Sequence, residues 1–153
     1  MARTKCGFED QPDLRGRDAL ILHGPTLLVN IGLDIAFRAG KNAHPQLPSQ
    51  TWPALVDTGA GESCIDSSLA SSLSLPIVDQ QITSGAHGAH PVNVHLAQIH
   101  VPSLNFTIHG RFSGVHLTAG GQRHMALIGR TFLQHFTMIY EGRTGTVVMS
   151  NDS

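Results

Sequence analysis

The chain has 153 residues, of which 41% are hydrophobic and only 14% charged, and its formal net charge is -1. This length suits one domain with its own core, and the near-neutral charge supplies no basic surface for nucleic acid or anionic lipid. No run approaches the roughly 20 apolar residues of a membrane span, and the charged start lacks the form of a secretory signal. Two cysteines, Cys6 and Cys64, are too few for a disulfide framework. We therefore expect a cytoplasmic protein with no nucleic-acid or membrane partner.

Short β-type runs separated by Gly, Pro, Ser and Asn dominate the chain, and this pattern predicts an all-β sandwich or barrel. Residues 1–18 are expected to form a flexible tail ahead of one domain over 19–153. Residues 38–53 lack periodicity and are rich in Gly and Pro, so they are expected to form a surface loop. Strands are predicted at 26–31, 54–56, 63–65, 92–101, 104–112, 136–140 and 146–149.

Two short helices are predicted to interrupt the strands. Asp66 is a suitable N-cap for the first, because Leu69 and Leu73 then fall four apart on one face and Leu75-Pro76 ends the segment. The second is predicted over 130–135, directly after Gly129.

The segment Leu55-Val56-Asp57-Thr58-Gly59-Ala60 places an aspartate directly after a buried-type strand. Taken alone, Asp-Thr-Gly is equally compatible with an ordinary tight turn between strands. The surrounding order of strand, Asp-Thr-Gly-Ala, strand, short helix and Leu-Pro over 53–76 is more specific.

This run resembles the N-terminal half of a retropepsin-like aspartic protease. Further along, Leu127-Ile128-Gly129-Arg130 is similar to the apolar-apolar-Gly-Arg element that in this family supports the catalytic loop and opens a helix. Two separate motifs in the family order are more specific than either one. The resemblance covers about 25–149 and implies an all-β, closed retropepsin-like barrel with one or two short helices, assembled as a homodimer.

The resemblance also implies an aspartic endopeptidase without cofactor or metal, in which two Asp57 carboxylates share one proton and activate water. Thr58 would hydrogen-bond across the two-fold axis, and Gly59 would let the backbone approach the carboxylates. The chain carries one Asp-Thr-Gly, so a homodimer must supply the second carboxylate. The substrate is expected to be a peptide or protein.

The resemblance implies further substrate-binding residues. Ala60 and Gly61 would form the floor, and Cys64 would line a subsite, which is compatible with the alternative of a small buried residue there. A flexible flap is expected at the hairpin tip, with an ordinary exposed turn as the alternative. Its residues are Gly85, Ala86, His87 and Gly88.

The ten histidines raise the question of a metal. His95, His100, His109 and His116 each lie between apolar neighbours, which predicts positions on the outer face of strands. No zinc-binding motif of His or paired Cys is present, so we expect no bound metal.

Three features depart from the retroviral pattern. Gly61 stands where an acidic residue is usual, with Glu62 one position later, so the partner of Arg130 is open. The loop over 38–53 is longer than the corresponding retroviral loop. The chain also continues after the second helix as a further β-hairpin. The other functions compatible with this sequence are a non-catalytic dimer of the same fold that binds peptides, and a bare dimerisation domain.

Overall fold

The structure is a computed structural model that describes residues 2–85 and 88–151. In chain order its elements are β1 (Arg3–Lys5), α1 (Gly16–His23), β2 (Thr26–Gly32), β3 (Trp52–Val56), β4 (Cys64–Asp66), α2 (Ser67–Ser72), β5 (Ile77–Gly85), β6 (Gly88–Val101), β7 (Phe106–Val115), β8 (Ala126–Ile128), α3 (Arg130–Leu133), β9 (Thr137–Glu141) and β10 (Thr146–Ser150). A 3-10 turn, Pro102–Leu104, joins β6 to β7. The expectation of a mostly β fold with short helices is confirmed.

The strands form two sheets. The larger has the order β2-β3-β8-β4-β7-β6-β5, and the end of β2 also pairs with β6. Two of its pairs are parallel, β3 with β8 and β4 with β7, while the other neighbours are antiparallel. The smaller sheet has the order β1-β10-β9. The parallel pair of β3 and β8 positions the Asp-Thr-Gly loop beside the Gly-Arg element.

Alternation along the central strands separates the core from an open face. In β3, Trp52, Ala54 and Val56 are buried, whereas Pro53 and Leu55 are half-exposed. Successive strand side chains point to opposite faces, so this pattern places one row in the core and the other toward solvent. Burying the core row supplies most of the stability of this strand, at about 25 cal/mol per Å² of apolar surface.

The first 18 residues differ from the expected flexible tail. β1 pairs with β10, from Arg3↔Ser150 to Lys5↔Val148. Cys6 is 2% exposed, and its carbonyl accepts a hydrogen bond from the N–H of Thr26. The sequence pattern does not indicate this pairing, because the segment is polar and is held mainly by backbone hydrogen bonds.

Helix α1 was not predicted either. Its buried face is narrow, since Leu20 is buried while the adjacent Ile21 and Leu22 are 76% and 69% exposed. Such a helix lacks the wide apolar stripe by which an amphipathic helix is recognised. In the part of the chain that the structure describes, no helix is long and apolar enough to cross a membrane.

Helix α2 begins as predicted. The Oδ2 atom of Asp66 accepts a hydrogen bond of 3.2 Å from the backbone N–H of Leu69, which makes Asp66 the N-cap. Its Oδ1 atom accepts from the backbone N–H groups of Leu117 and Thr118 and from the Thr118 hydroxyl. This fully buried carboxylate therefore also holds the loop after β7, a role that local sequence does not reveal.

Candidate active site

Asp57 lies at the end of β3, where the strand gives way to the Asp-Thr-Gly loop. Its backbone N–H donates to the carbonyl of Ile128 at 2.9 Å, so the residue is still tied to β8. The alternation of β3 places Asp57 on the same face as Leu55, away from the core side chain of Val56. The Asp57 side chain is half-buried and faces the open side of the sheet.

The loop folds back so that its own backbone orients the carboxylate. The N–H of Gly59 donates to Asp57 Oδ1 at 2.8 Å, and the N–H of Ala60 donates to the Asp57 carbonyl at 3.2 Å. A Cβ at Gly59 would lie only 3.1 Å from Asp57 Oδ1, which is why a glycine suits this position. Thr58 and Gly59 are exposed at the tip of the loop.

The Leu127-Ile128-Gly129-Arg130 element lies directly behind this loop. Leu127 and Ile128 pair with Leu55 and Val56 in parallel register. The N–H of Gly129 donates to Ser63 Oγ at 3.0 Å. A Cβ at Gly129 would fall 2.6 Å from the carbonyl oxygen of Glu62, so only glycine fits between the two segments.

Helix α3 is joined to the Asp-Thr-Gly loop through its first residues. The backbone N–H of Arg130 donates to the carbonyl of Ala60 at 2.9 Å, and that of Thr131 donates to the carbonyl of Gly61 at 3.0 Å. Ala60 and Gly61, expected in the cleft floor, therefore act here through their carbonyls as the attachment points of α3.

The partner of Arg130, which the sequence left open, is a backbone carbonyl. Arg130 Nη1 donates to the oxygen of Thr58 at 2.8 Å. Gly61 leaves space beside the guanidinium, since a Cβ there would lie 3.6 Å from Arg130 Nη2. Within residues 2–85 and 88–151 Arg130 forms no salt bridge, so Glu62 does not replace the acid missing at 61.

The open face beside Asp57 has an apolar floor. Leu127 pairs with Leu55 on one side and with Cys64 on the other, and all three side chains are half-buried. Burial raises the pKa of the Cys64 thiol to about 11, and the nearby negative charge of Asp57 adds to the rise, although a hydrogen bond to the Leu127 backbone opposes it. Cys64 is therefore a neutral thiol near Asp57.

Strands β5 and β6 form a long hairpin at the position expected for the flap. The pairing runs from Ile77↔His95 out to Gly85↔Gly88, and Gly88 has a φ of 99° with open space around it. The two residues between this last pair, Ala86 and His87, are outside the part of the chain that the structure describes.

The histidines are distributed differently from the expectation. His109 and His116 are exposed, as expected, but the prediction of an outer-face position is wrong for His95, which is 4% exposed. Its Nδ1 lies 3.1 Å from the carbonyl of Leu75, and Gly114 leaves room for the ring. Among the described residues, no group of three or more His, Cys, Asp or Glu is arranged to hold a metal ion.

Comparisons with known proteins show the family and the fold of this chain. The family model described as gag-polyprotein putative aspartyl protease matches residues 46–135, so the chain belongs to this aspartic protease family. A retropepsin-like aspartic protease from Rickettsia conorii is similar in fold, with a TM-score of 0.52 and 12% identity over 96% of this chain and 89% of that one. The EIAV protease complexed with the inhibitor HBY-793 matches at a TM-score of 0.46 and 17% identity, over 72% of this chain and 85% of that one. No curated protein sequence matches the chain.

Proposed function

We propose that this chain is an aspartic endopeptidase that works as a homodimer, with one Asp57 from each subunit. The observation that carries the proposal is the position of Asp57 on the open face, with its loop held by the backbone of β8 and α3. Because the sequence has a single Asp-Thr-Gly, a second copy of the chain must bring the second carboxylate.

The chemistry needs two carboxylates that share one proton. Two like charges about 3 Å apart do not both ionise, so the working pair is a monoanion. The ionised carboxylate takes a proton from water as the water oxygen attacks the peptide carbonyl carbon, and the protonated one gives its proton to the carbonyl oxygen. The carboxylate that took the proton from water then gives it to the leaving nitrogen as the C–N bond breaks, and the other carboxylate takes a proton from one hydroxyl of the diol, which restores the starting pair.

The exposed tip of the loop supports the approach of a second subunit. Thr58 and Gly59 are exposed next to Asp57, while the opposite side of the loop is covered by Arg130 and Gly129. A two-fold axis beside Thr58 would bring the two Asp57 side chains together and bury these exposed residues. Thr58 would then hydrogen-bond to the partner's loop.

The floor formed by Leu55, Leu127 and Cys64 suits an extended peptide with an apolar side chain near the cleaved bond. The β5–β6 hairpin, with Gly85 and Gly88 at its last described pair, would close over that peptide.

The test is turnover of a diverse peptide library from about pH 4 to about pH 8, with wild type compared with Asp57→Asn. Asp57→Asn keeps the shape of the side chain but removes the ionisable group, so we expect wild-type cleavage to be lost. Asp13→Asn, at an exposed position outside the site, is the matched control and should remain active. A folded wild-type dimer that binds peptides without cleaving them would instead identify a binding module, and a dimer that does neither would identify an assembly domain.

A further inference from the structure

A cavity of about 240 Å³ lies at the end of α1 and is lined by Leu22, His23, Gly121, Gln122, Arg123 and His124. Of these six residues, one is an arginine and two are histidines, and none carries a carboxylate.

The cavity lies next to the strand that carries Asp57. Gly24, the residue after His23, packs against Leu55, since a Cβ at Gly24 would lie 2.6 Å from Leu55 Cδ1. The next residue, Pro25, accepts a hydrogen bond from the N–H of Val56. Leu55 and Asp57 share the open face and are about 7 Å apart along the strand. The segment that lines the cavity at Leu22 and His23 therefore continues directly into residues that pack against the strand carrying Asp57.

The charges around the cavity are not balanced by an acid. Burial lowers the pKa of His124, and the positive charges of Arg123 and His23 lower it further. In the described part of the chain, Arg123 forms no salt bridge. An anion in the cavity would be attracted by the unpaired charge of Arg123.

The hydrogen bonds of His124 fix its ring beside the cavity. The Thr26 hydroxyl donates to the carbonyl of Gly24 at 3.0 Å, so it accepts from His124 Nε2 at 2.9 Å. His124 Nδ1 lies 3.4 Å from Gln122 Oε1, which is also an acceptor. Nε2 is therefore the nitrogen that carries a proton, as in a neutral ring that donates to Thr26. His124 is 1% exposed and its lowered pKa favours the neutral ring, so it forms a wall of the cavity rather than a charge within it.

We propose that this basic pocket, defined by His23, Arg123 and His124, binds an acidic side chain of the peptide substrate. The inference rests on the proposed peptidase function and specifies its substrate class: peptides with Glu or Asp close to the cleaved bond. Arg123 supplies the permanent charge, His23 supplies a further hydrogen-bonding group, the buried ring of His124 closes one wall, and Leu22 contacts the aliphatic part of the side chain.

The first test compares cleavage-site preferences in a library of peptides with amidated C-termini, so that only side chains carry carboxylates. We expect Glu or Asp to be enriched at one position near the cleaved bond. Arg123→Gln should reduce that preference about tenfold, the effect of losing one charge-assisted contact, while cleavage of neutral peptides continues. Lys41→Gln removes a positive charge from an exposed loop position and should leave the preference unchanged. Cleavage without acidic enrichment, or enrichment that survives Arg123→Gln, overturns the proposal and leaves the peptidase function intact.

The second test does not depend on cleavage. The imidazole signals of His23 and His124 are followed by NMR during titration with N-acetyl-glutamate N-methylamide and, separately, with the corresponding glutamine compound. We expect the glutamate compound to shift both signals in wild type and in Asp57→Asn, and to shift them less in Arg123→Gln. Equal responses to the two compounds, or no response to either, contradict the proposal even if the protein is a peptidase. Selective shifts in a protein that cleaves no peptide would support the pocket while refuting the peptidase.

Discussion

Arg130 Nη1 donates a 2.8 Å hydrogen bond to the carbonyl oxygen of Thr58. This bond joins the first residue of α3 to the residue that follows Asp57, and it adds to the backbone bond from Arg130 to Ala60. The Asp-Thr-Gly loop is thus held from behind, while its tip at Thr58 and Gly59 stays exposed. Because the acceptor is a backbone oxygen, the contact does not need an acidic residue at 61.

We expect Arg130→Met to lower kcat about tenfold while reducing the free energy of unfolding by only about 1 kcal/mol, because it removes one hydrogen bond at an exposed position. Peptide turnover and urea unfolding measure the two effects. Arg143→Met, at an exposed position in the β9–β10 turn, is the control. If Arg130→Met retained full turnover, the contact would not orient the loop.

The close approach at Gly129 predicts a large loss of stability. A Cβ at this residue would meet the carbonyl oxygens of Glu62 at 2.6 Å and Ala60 at 2.9 Å. Since both neighbours are backbone, Gly129→Ala should cost about 3 kcal/mol or more in the free energy of unfolding. Gly142→Ala is the matched control, because its Cβ would lie 3.5 Å from the Tyr140 ring, an ordinary contact distance. Similar unfolding midpoints for the two variants would refute the packing argument.

The buried carboxylate of Asp66 predicts a loss of stability in acid. Burial alone would raise its pKa, but hydrogen bonds from Thr118, Leu69 and Leu117 outweigh burial and lower the pKa below 3.8. A lowered folded-state pKa gives stability that is present above the unfolded value and is lost as the pH falls through the folded value. Stability should therefore decline below about pH 4, in part through Asp66.

Asp66→Asn tests that assignment. We expect it to cost about 2 kcal/mol at neutral pH, because an amide cannot accept all these bonds, and to flatten the acid decline. Asp13→Asn, at an exposed position, should change neither the stability at neutral pH nor the decline of stability in acid. An Asp66→Asn protein with the wild-type pH profile would remove Asp66 from the explanation.

The single Asp-Thr-Gly predicts that activity belongs to pairs of chains. When wild-type and Asp57→Ala chains are mixed equally and allowed to exchange, roughly a quarter of randomly formed dimers carry two Asp57 residues. Activity should then be about half of that of an equally diluted wild-type sample. Activity in proportion to the wild-type chain present, after exchange has been verified by native mass spectrometry, would show that each chain works alone.

The two cysteines provide an internal comparison of the cleft. The thiol pKa is raised to about 11 for both, by burial for Cys6 and by burial together with Asp57 for Cys64. Both should react slowly with iodoacetamide at neutral pH, because the thiolate is the reactive form. A statine-type inhibitor should slow labelling of Cys64 but not of Cys6, and Asp57→Asn should speed labelling of Cys64 alone. Unchanged Cys64 labelling in both experiments would place this residue outside the cleft.

Local patterns in the sequence were sufficient to predict much of the fold. Alternation and turn residues located β2, β6, β7, β9 and β10 to within a few residues at most ends. The N-cap at Asp66 followed from the residue type and the helical spacing after it. In contrast, β8 is only three residues long and β5 is largely polar, so neither carries a recognisable period.

The sequence by itself determined the aspartic protease family, through the Asp57 motif and the Gly129-Arg130 element, because both depend on residue types in a set order. Only the tertiary structure decided how these parts meet: that Arg130 bonds to Thr58, that Asp66 holds the loop at Thr118, and that the N-terminal segment pairs with β10. The sequence does not indicate the basic pocket either, since His23 and His124 are about a hundred positions apart in the chain. Contacts between distant residues depend on strand order and register, which residue type and local spacing do not specify.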